Sequence, residues 1–135
     1  MKNESLIEDY LNRASARLKA IAVLQEERSF ADVVRESQEA IELALKALLR
    51  ASKIEVPRIH DVSPVLKANI ELLPDAIRED VERLSKISRS LRRDRELAFY
   101  GSEDLTPSEF YKEEDGDEAL SSATWLIERI REVCL

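Results

Sequence analysis

The chain has 135 residues, a length that fits one domain, and it combines 44% hydrophobic with 36% charged residues. This composition excludes intrinsic disorder, and one Cys and one His exclude a disulfide framework, a cysteine zinc cluster and a multi-histidine metal site within one chain. No apolar run approaches the roughly 20 residues of a membrane span, and the first residues lack the apolar stretch of a signal peptide. We therefore expect a single domain over residues 1–135, soluble and cytoplasmic, with no cofactor, no metal and no membrane contact.

The net charge of -7 is unevenly distributed. Residues 101–118 contain eight acids and one lysine, which sum to -7 and leave the rest of the chain neutral. Just before them, residues 86–95 contain five basic residues and one acid, a local charge of +4. The overall acidity is therefore a poor guide to partners, because such a basic segment can still bind a phosphate. The alternative is that both segments are solvated faces that partly neutralise each other.

Apolar spacing predicts two long helices in the first half of the chain. Apolar residues recur three and four positions apart over residues 6–24 and again over residues 33–49. The second helix is predicted to begin at Ser29, whose hydroxyl can accept a hydrogen bond from a free N–H of the first turn. We expect it to end near Lys53, because Pro57 and the residue before it do not easily continue a helix.

A short third helix and a long fourth helix are predicted next. Ser63 followed by Pro64 is typical of a cap and a first-turn proline, and the apolar residues after them, up to Ile70, are expected to face inward. The fourth helix is predicted to open at Pro74, with acids in its early turns, and to stop at Gly101, a residue that favours the left-handed C-terminal position.

The last elements follow the acidic segment. Residues 106–109 have a capping-box pattern that predicts a short turn ending near Tyr111, and a final helix is expected from about Asp117 to Val133. Trp125 lies just off its apolar stripe and either widens the core contact or anchors a dimer face. Cys134 is expected to be packed or frayed rather than reactive. With no strand-like alternation, the chain is predicted to be all-α, an antiparallel up-and-down bundle of four long helices plus one short helix.

The aromatic residues indicate where a ligand could bind. The chain has seven, and four of them directly follow the arginine cluster: Phe99, Tyr100, Phe110 and Tyr111. Arginine beside aromatic rings suits a ligand that has phosphates and a flat base, through bidentate hydrogen bonds and stacking. The alternative is that Phe99 and Phe110 fill the core while the arginines pair with nearby acids.

Three stretches, residues 37–49, 60–66 and 95–101, together resemble the HEPN domain family, which is named for a nucleotide-binding domain of higher eukaryotes and prokaryotes. Residues 37–49 resemble its second helix, with an acid on the apolar face and a Lys-Ala-Leu ending. Residues 60–66 resemble its His-Asp-Leu entry to a short third helix, and residues 95–101 resemble its arginine-to-tyrosine segment. The order and spacing match from about Ser5 to the C-terminus, and together they identify the chain as similar to this family.

The resemblance implies a helical bundle, frequent homodimers and a frequent genetic pairing with a small nucleotidyltransferase. In enzymes of the kanamycin nucleotidyltransferase type, a related helical domain helps to bind substrate beside the transferase domain. Many HEPN proteins are instead metal-independent ribonucleases, toxins of toxin–antitoxin pairs among them. Those ribonucleases have an arginine, usually followed by a polar residue, and then a histidine after four to six intervening residues.

This sequence departs from the ribonuclease pattern at the histidine. The only histidine, His60, lies outside the required window, and both Arg93 and Arg95 lead at the permitted spacing to Tyr100. An imidazole titrates near neutral pH, whereas a phenol, with a pKa of about 10, is a poor base at pH 7. We therefore predict binding without catalysis, with phosphate or nucleotide contacted by Arg92, Arg93, Arg95 and Tyr100.

Secondary candidates lie on other predicted elements. His60 is expected to cap the third helix or to bond a loop carbonyl, and Asp61 to bond backbone amides near the helix start. On the second helix, Glu39 is expected to be the acid on the apolar face and Glu42 a solvated one. A buried glutamate would need a partner, for which an arginine of the fourth helix is the natural choice. Phe99 completes the set as a stacking candidate.

The sequence thus predicts a HEPN-like binding module that dimerises and acts with a separate nucleotidyltransferase chain on a nucleotide or phosphorylated small molecule. The acidic segment would gate its cleft. One alternative is a metal-independent ribonuclease or toxin of the same family, with RNA as its substrate and Tyr100 in place of the usual histidine. Another is a dimeric interaction scaffold that binds no ligand.

Overall fold

The computed structural model describes the backbone of residues 2–100 and 106–135 and the side chains of residues 3–90 and 106–135. Within these limits the chain is all-helical, which confirms the predicted fold class. The elements are α1 (Lys2–Glu26), α2 (Phe30–Ala51), α3 (Ser63–Ala68), a 3-10 turn (Ile70–Leu72), α4 (Asp75–Arg78), α5 (Val81–Tyr100), α6 (Pro107–Phe110) and α7 (Glu113–Cys134). None of the helices in this part of the chain is long and apolar enough to cross a lipid bilayer.

Helices α1 and α2 form an antiparallel pair. The Asn3 side-chain amide, at the start of α1, donates to the Arg50 carbonyl at the end of α2 over 3.4 Å. Further along α1, Arg17 lies 3.6 Å from Glu36, near the start of α2. The two helices therefore run in opposite directions along their shared length.

Helix α7 runs antiparallel to both α1 and α5. Residues early in the partner contact the C-terminal end of α7, and residues later in the partner contact positions closer to the N-terminal end of α7. These contacts join Asn12 to Arg131, Gln25 to Asp117, Asp80 to Arg129, and Arg83 to Trp125. Because α1 and α5 are both antiparallel to α7, and α1 is antiparallel to α2, α5 is also antiparallel to α2. Four long helices thus pack up and down, as predicted.

Helix α2 lies at the centre of the bundle and packs against α1, α5 and α7. Its apolar residues recur at helical spacing around more than one face, so Ile41, Leu45, Leu48 and Leu49 are all fully buried. Burial of each such side chain stabilises the fold by roughly 2–3 kcal/mol.

The start of α2 is stabilised differently from the prediction. Ser29 is the N-cap residue, but its hydroxyl does not accept a backbone hydrogen bond. It donates instead to the Asp32 carboxylate over 2.6 Å, and the Ser29 carbonyl accepts the first helical bond from Val33. The predicted hydroxyl acceptor is therefore wrong. At the other end α2 stops at Ala51, and Lys53 takes a left-handed conformation with φ of 58°.

The N-cap of the short third helix lies one residue earlier than predicted. Val62 is the N-cap residue and Ser63 the first helical residue, because Asp61 accepts hydrogen bonds from both the N–H and the hydroxyl of Ser63. Leu66 is fully buried as expected. Ile70, however, is 39% exposed, because it lies in the 3-10 turn after the helix has ended, so its predicted inward position is wrong.

The predicted fourth helix is two helices. The short α4 ends at Arg78, and α5 starts at Val81. The Asp80 N–H closes a tight turn on the Ile77 carbonyl over 3.0 Å, while the Asp80 carbonyl accepts the first bond of α5 from Leu84. At the break, the Asp80 carboxylate lies 2.8 Å from the Arg129 guanidinium of α7. The predicted stop at Gly101 lies outside the described residues.

The acidic segment is partly helical. The Thr106 hydroxyl accepts a hydrogen bond from the Glu109 N–H over 3.3 Å, so the predicted cap of the short turn is confirmed. Helix α7 then begins at Glu113, four residues before the predicted Asp117. Asp115 accepts the Lys112 N–H over 2.8 Å, and acids in a first turn interact favourably with the positive end of the helix dipole.

Candidate functional site

A buried carboxylate on α2 holds the only histidine of the chain. Glu42 is 8% exposed, and its two carboxylate oxygens lie 2.9 Å and 3.0 Å from Nδ1 of His60. The Gln38 side-chain amide donates to the same carboxylate over 3.2 Å. These partners compensate for the loss of hydration that burial imposes on a charged group. The predicted order of the two acids is therefore wrong, since Glu42 is buried and Glu39 only half-buried.

The contact with Glu42 has a chemical consequence for His60. A carboxylate at Nδ1 accepts a hydrogen bond when the proton is on Nδ1, and it fixes the orientation of the ring. The His60 side chain is 47% exposed, so the ring lies at the surface while its anchor is buried. His60 therefore bonds a side chain of α2, whereas the sequence predicted a helix cap or a loop carbonyl.

Asp61 links the segment before α3 to α5. Its Oδ1 accepts hydrogen bonds from the Ser63 N–H at 3.0 Å, the Ser63 hydroxyl at 2.8 Å and the Ser88 hydroxyl at 3.0 Å. Partial burial acts to raise the pKa of Asp61, but these hydrogen bonds and the positive charge of Arg89 outweigh it and bring the pKa below the ordinary 3.8. The predicted bond to a backbone amide at the helix start is confirmed, and the bond to Ser88 was not foreseen.

These contacts converge on one surface, which we call the α2–α5 seam and define by Gln38, Glu39, Glu42, His60, Asp61 and Ser88. The adjacent residues His60 and Asp61 bridge it, one bonded to α2 and the other to α5. Because the two helices are antiparallel, Glu39 lies on the side of Glu42 toward which α5 continues after Ser88. The structure thus brings three sequence candidates, Glu39, His60 and Asp61, to one seam.

The remaining candidates lie on the C-terminal half of α5. Arg92 and Arg95 are four and seven positions after Ser88, spacings that return to the same face of a helix. The side chains of the primary candidates and of one secondary candidate lie outside the described residues; they are Arg92, Arg93, Arg95, Tyr100 and Phe99.

A second feature, not identified from the sequence, lies between α5 and α7. A cavity of ≈ 440 Å³ separates the two helices, and we call it the α5–α7 cavity. Buried Tyr111 and Ile87 contribute to its lining. Among the described side chains, its polar lining includes Arg83, Lys86 and Ser90 from α5 and Asp115, Glu118 and Ser122 from α7. Each set has the spacing i, i+3, i+7 that marks one helix face, so the sequence contained a signal for it.

Arg83, one of the residues that line the α5–α7 cavity, packs on an aromatic ring of α7. The guanidinium carbon of Arg83 lies 3.7 Å from the ring centroid of Trp125, which is half-buried on α7. Trp125 thus packs on α5 and widens the core contact, one of the two roles considered for it. Its other predicted role, at a dimer face, stays a prediction.

Two further groups bear on the chemistry of the chain. Among the described residues, no group of three or more His, Cys, Asp or Glu side chains is placed to hold a metal ion. Cys134 is half-buried at the end of α7, and burial raises the pKa of its thiol to about 11. A thiol of this kind is almost entirely protonated at neutral pH and is a weak nucleophile.

The family assignment agrees with this architecture. The family model described as HEPN domain matches residues 7–133, nearly the whole chain. Neither the curated proteins nor the solved structures give a significant match. A HEPN domain indicates a nucleotide-binding or ribonuclease-like module, and HEPN domains often dimerise. Four long packed helices and a family match over this length show that the chain belongs to the HEPN domain family.

Proposed function

We propose that this chain is a non-catalytic HEPN module that binds a nucleotide or a phosphorylated small molecule along the α2–α5 seam and the C-terminal half of α5. The observation that carries the proposal is the pair of contacts His60–Glu42 and Asp61–Ser88, which ties the segment before α3 to both helices. This arrangement supports a fixed surface beside the arginines that follow Ser88.

The phosphate contacts are assigned to Arg92, Arg93 and Arg95. A guanidinium has five N–H donors, so it can bind a carboxylate with one edge and a phosphate with the other. The seam offers carboxylates for the first purpose at Glu39 and Glu42. An arginine held in this way loses less conformational entropy when the ligand arrives. Tyr100 would stack on the base or donate a hydrogen bond to the ligand.

The proposal that the chain is non-catalytic rests on the missing histidine of the ribonuclease pattern. In the ribonucleases of the family a histidine follows the arginine, and here Tyr100 takes that position. The one histidine is bonded to Glu42, 18 residues before it on a different element. A phenol of ordinary pKa does not take a proton at pH 7, so binding is the function that these residues favour.

Binding is tested by thermal unfolding across a panel of nucleotides, with Arg95→Ala as the variant and Arg13→Ala as the control. Arg13 is a half-exposed arginine on α1, paired with Asp9. A ligand present at 100 times its dissociation constant should add about 2.7 kcal/mol to the free energy of unfolding. We expect this gain to persist in Arg13→Ala and to be lost in Arg95→Ala. Equal gains in both variants would remove Arg95 from the site.

The proposed partner is a separate small nucleotidyltransferase chain, and the proposed assembly includes a homodimer of this chain. Light scattering after gel filtration measures the dimer. Co-purification with a small nucleotidyltransferase encoded beside it, and nucleotidyl transfer with and without this chain, measure the partnership. A monomer that leaves the transfer rate unchanged would contradict both parts.

The ribonuclease alternative is favoured by one observation, the carboxylate–imidazole contact of Glu42 with His60. A histidine oriented by a carboxylate is a competent general base near neutral pH. Incubation of the purified protein with RNA in the presence of a chelator tests it. Cleavage that is lost in Tyr100→Phe or His60→Ala would establish catalysis and overturn the non-catalytic proposal. Intact RNA together with a stable dimer that binds no nucleotide would indicate the scaffold.

A further inference from the structure

The α5–α7 cavity has opposite charges on its two walls. Arg83 and Lys86 provide the positive wall, and Asp115 and Glu118 the negative one. Within the described side chains, neither Lys86 nor Glu118 makes a hydrogen bond or an ion pair, and Arg83 makes only its contact with Trp125. Opposite charges that face each other across a cavity without meeting can both be satisfied by a ligand that spans it.

The positive wall is arranged for an anion. Stacking on the Trp125 ring occupies the flat face of the Arg83 guanidinium and leaves the N–H groups at its edge available. Lys86 is three positions further along the same face of α5, and the Ser90 hydroxyl follows one turn later. Two cations and a hydroxyl on one wall fit a phosphate, which accepts several hydrogen bonds at once.

The negative wall favours a ligand that presents hydrogen-bond donors to it. Asp115 already accepts the Lys112 N–H at the start of α7, so its carboxylate is partly used. Glu118 is exposed and leaves two carboxylate oxygens for a ligand. Among the common bases, guanine alone presents two adjacent N–H donors, N1 and N2, that match both oxygens of one carboxylate. Adenine, cytosine and uracil each place an acceptor beside their donor, which a carboxylate repels.

We propose that the α5–α7 cavity binds a guanine nucleoside monophosphate, with its phosphate at Arg83 and Lys86 and its base at Glu118. The cavity volume of ≈ 440 Å³ lies within the range of about 300–1,000 Å³ found for small-molecule sites. The buried side chains of Ile87 and Tyr111 provide an apolar lining for the ribose and base. This site is on a different face of α5 from the α2–α5 seam, so it does not depend on the proposed function.

Calorimetric titration of the full chain with GMP and with AMP tests the proposal. The variants are Lys86→Ala, which removes a phosphate contact, and Glu118→Gln, which replaces the acceptor by a group of the same shape. The matched controls are Lys19→Ala on α1 and Glu114→Gln on α7, both exposed and outside the cavity lining. All four positions are exposed, and unfolding temperatures without ligand establish that each variant is folded.

We expect GMP to bind more tightly than AMP. Lys86→Ala should weaken both nucleotides, whereas Glu118→Gln should weaken GMP about tenfold or more and leave AMP within about twofold. Both controls should bind as the parent chain does. GMP binding that is absent, or unchanged in Glu118→Gln, overturns the proposal. GMP binding lost in Arg95→Ala but kept in Lys86→Ala also overturns it, while supporting the seam as the nucleotide site.

Discussion

Removal of the Asp61 carboxylate should separate the segment before α3 from α5. One oxygen of this side chain accepts three hydrogen bonds, two of them from Ser63 and one from Ser88. Ser63 is 1% exposed and Ser88 is fully buried, so water cannot readily replace the lost acceptor. Asp61→Ala therefore leaves up to three donors without partners at the point where the seam is closed.

The expected cost follows from those three bonds. Each contributes about 1 kcal/mol net, the ordinary value for a hydrogen bond, which we use because Asp61 is only half-buried. Asp61→Ala should thus lower the free energy of unfolding by about 3 kcal/mol. For a chain of this length, an unfolding entropy of about 2.1 cal/mol/K per residue makes that a fall of roughly 10 °C in Tm. Asp61→Asn keeps an oxygen acceptor but loses the charge, so about 1 kcal/mol is expected.

Urea unfolding followed by circular dichroism at 222 nm measures these differences, with Asp9→Ala on the surface of α1 as the control. Asp9 is 57% exposed in its pair with Arg13. Asp9→Ala should therefore lower the free energy of unfolding by at most about 0.5 kcal/mol. A double-mutant cycle of Asp61→Ala with Ser88→Ala isolates the bond between the two elements, because each replacement removes one of its partners. A coupling energy of about 1 kcal/mol is expected between them.

The dependence on pH gives an independent check. The pKa of Asp61 is lowered in the folded state, so the unfolded chain binds more protons when the pH is near 3.8. The ionised carboxylate therefore stabilises the fold. This contribution is fully present above the ordinary pKa of 3.8 and is lost as pH falls through the lower folded value. The difference between the parent chain and Asp61→Asn should be constant from pH 7 to about pH 5 and shrink below about pH 4. A cost under about 0.5 kcal/mol for Asp61→Ala with no coupling to Ser88 would refute the reasoning.

Two further predictions concern helix α7. A Cβ at Gly116 would clash with Gln25 Oε1 and lie 3.0 Å from Phe30 Cδ1. Gly116→Ala should therefore destabilise the fold by about 1 kcal/mol net in chemical unfolding, despite the higher helix propensity of alanine. The cost should fall in a Gln25→Ala background, and an unchanged cost there would exclude Gln25 as the obstacle. Burial raises the pKa of Cys134 to about 11, so alkylation of the folded chain should be slow at pH 8, rise with pH and become fast in denaturant; equal rates in the folded and unfolded chain would contradict this.

The four long helices were predictable because each needs only one repeated local pattern, apolar residues three and four apart. The break after α4 was not predictable in this way. Ile77, Val81 and Leu84 continue one apolar stripe through it, and all three are buried. At the break, the Asp80 carboxylate accepts a hydrogen bond from Arg129, 49 residues away on α7. A local pattern does not contain such a contact.

The start of α7 has two interpretations in the sequence. Glu113, Glu114 and Asp115 belong to the acidic segment, yet acids are favoured in a first helical turn, and Asp115 stands three positions after Lys112. The same residues can thus indicate a solvated loop or a helix start. The observed bond from the Lys112 N–H to Asp115 decides for the helix.

The candidate site was predictable in composition and only partly in geometry. The sequence singled out Glu39, His60 and Asp61, and the structure brings them to one seam, but the buried partner of His60 is Glu42. The two acids are three residues apart on α2, so both fit the same broad face. Which one is covered depends on the path of the chain between α2 and α3, and apolar periodicity does not define that path.

Charges that are separated along the sequence lie close together in the fold at helices α5 and α7. Part of the basic segment and part of the acidic segment face each other across the α5–α7 cavity, at Lys86 and Glu118 among others. Neutralisation of Lys86 and Glu118 by each other would need direct ion pairs between the two helices. Lys86 and Glu118 make none within the described side chains, although each lies in a helix of fixed position. A ligand that spans the α5–α7 cavity, as proposed above, would give both residues a partner of opposite charge.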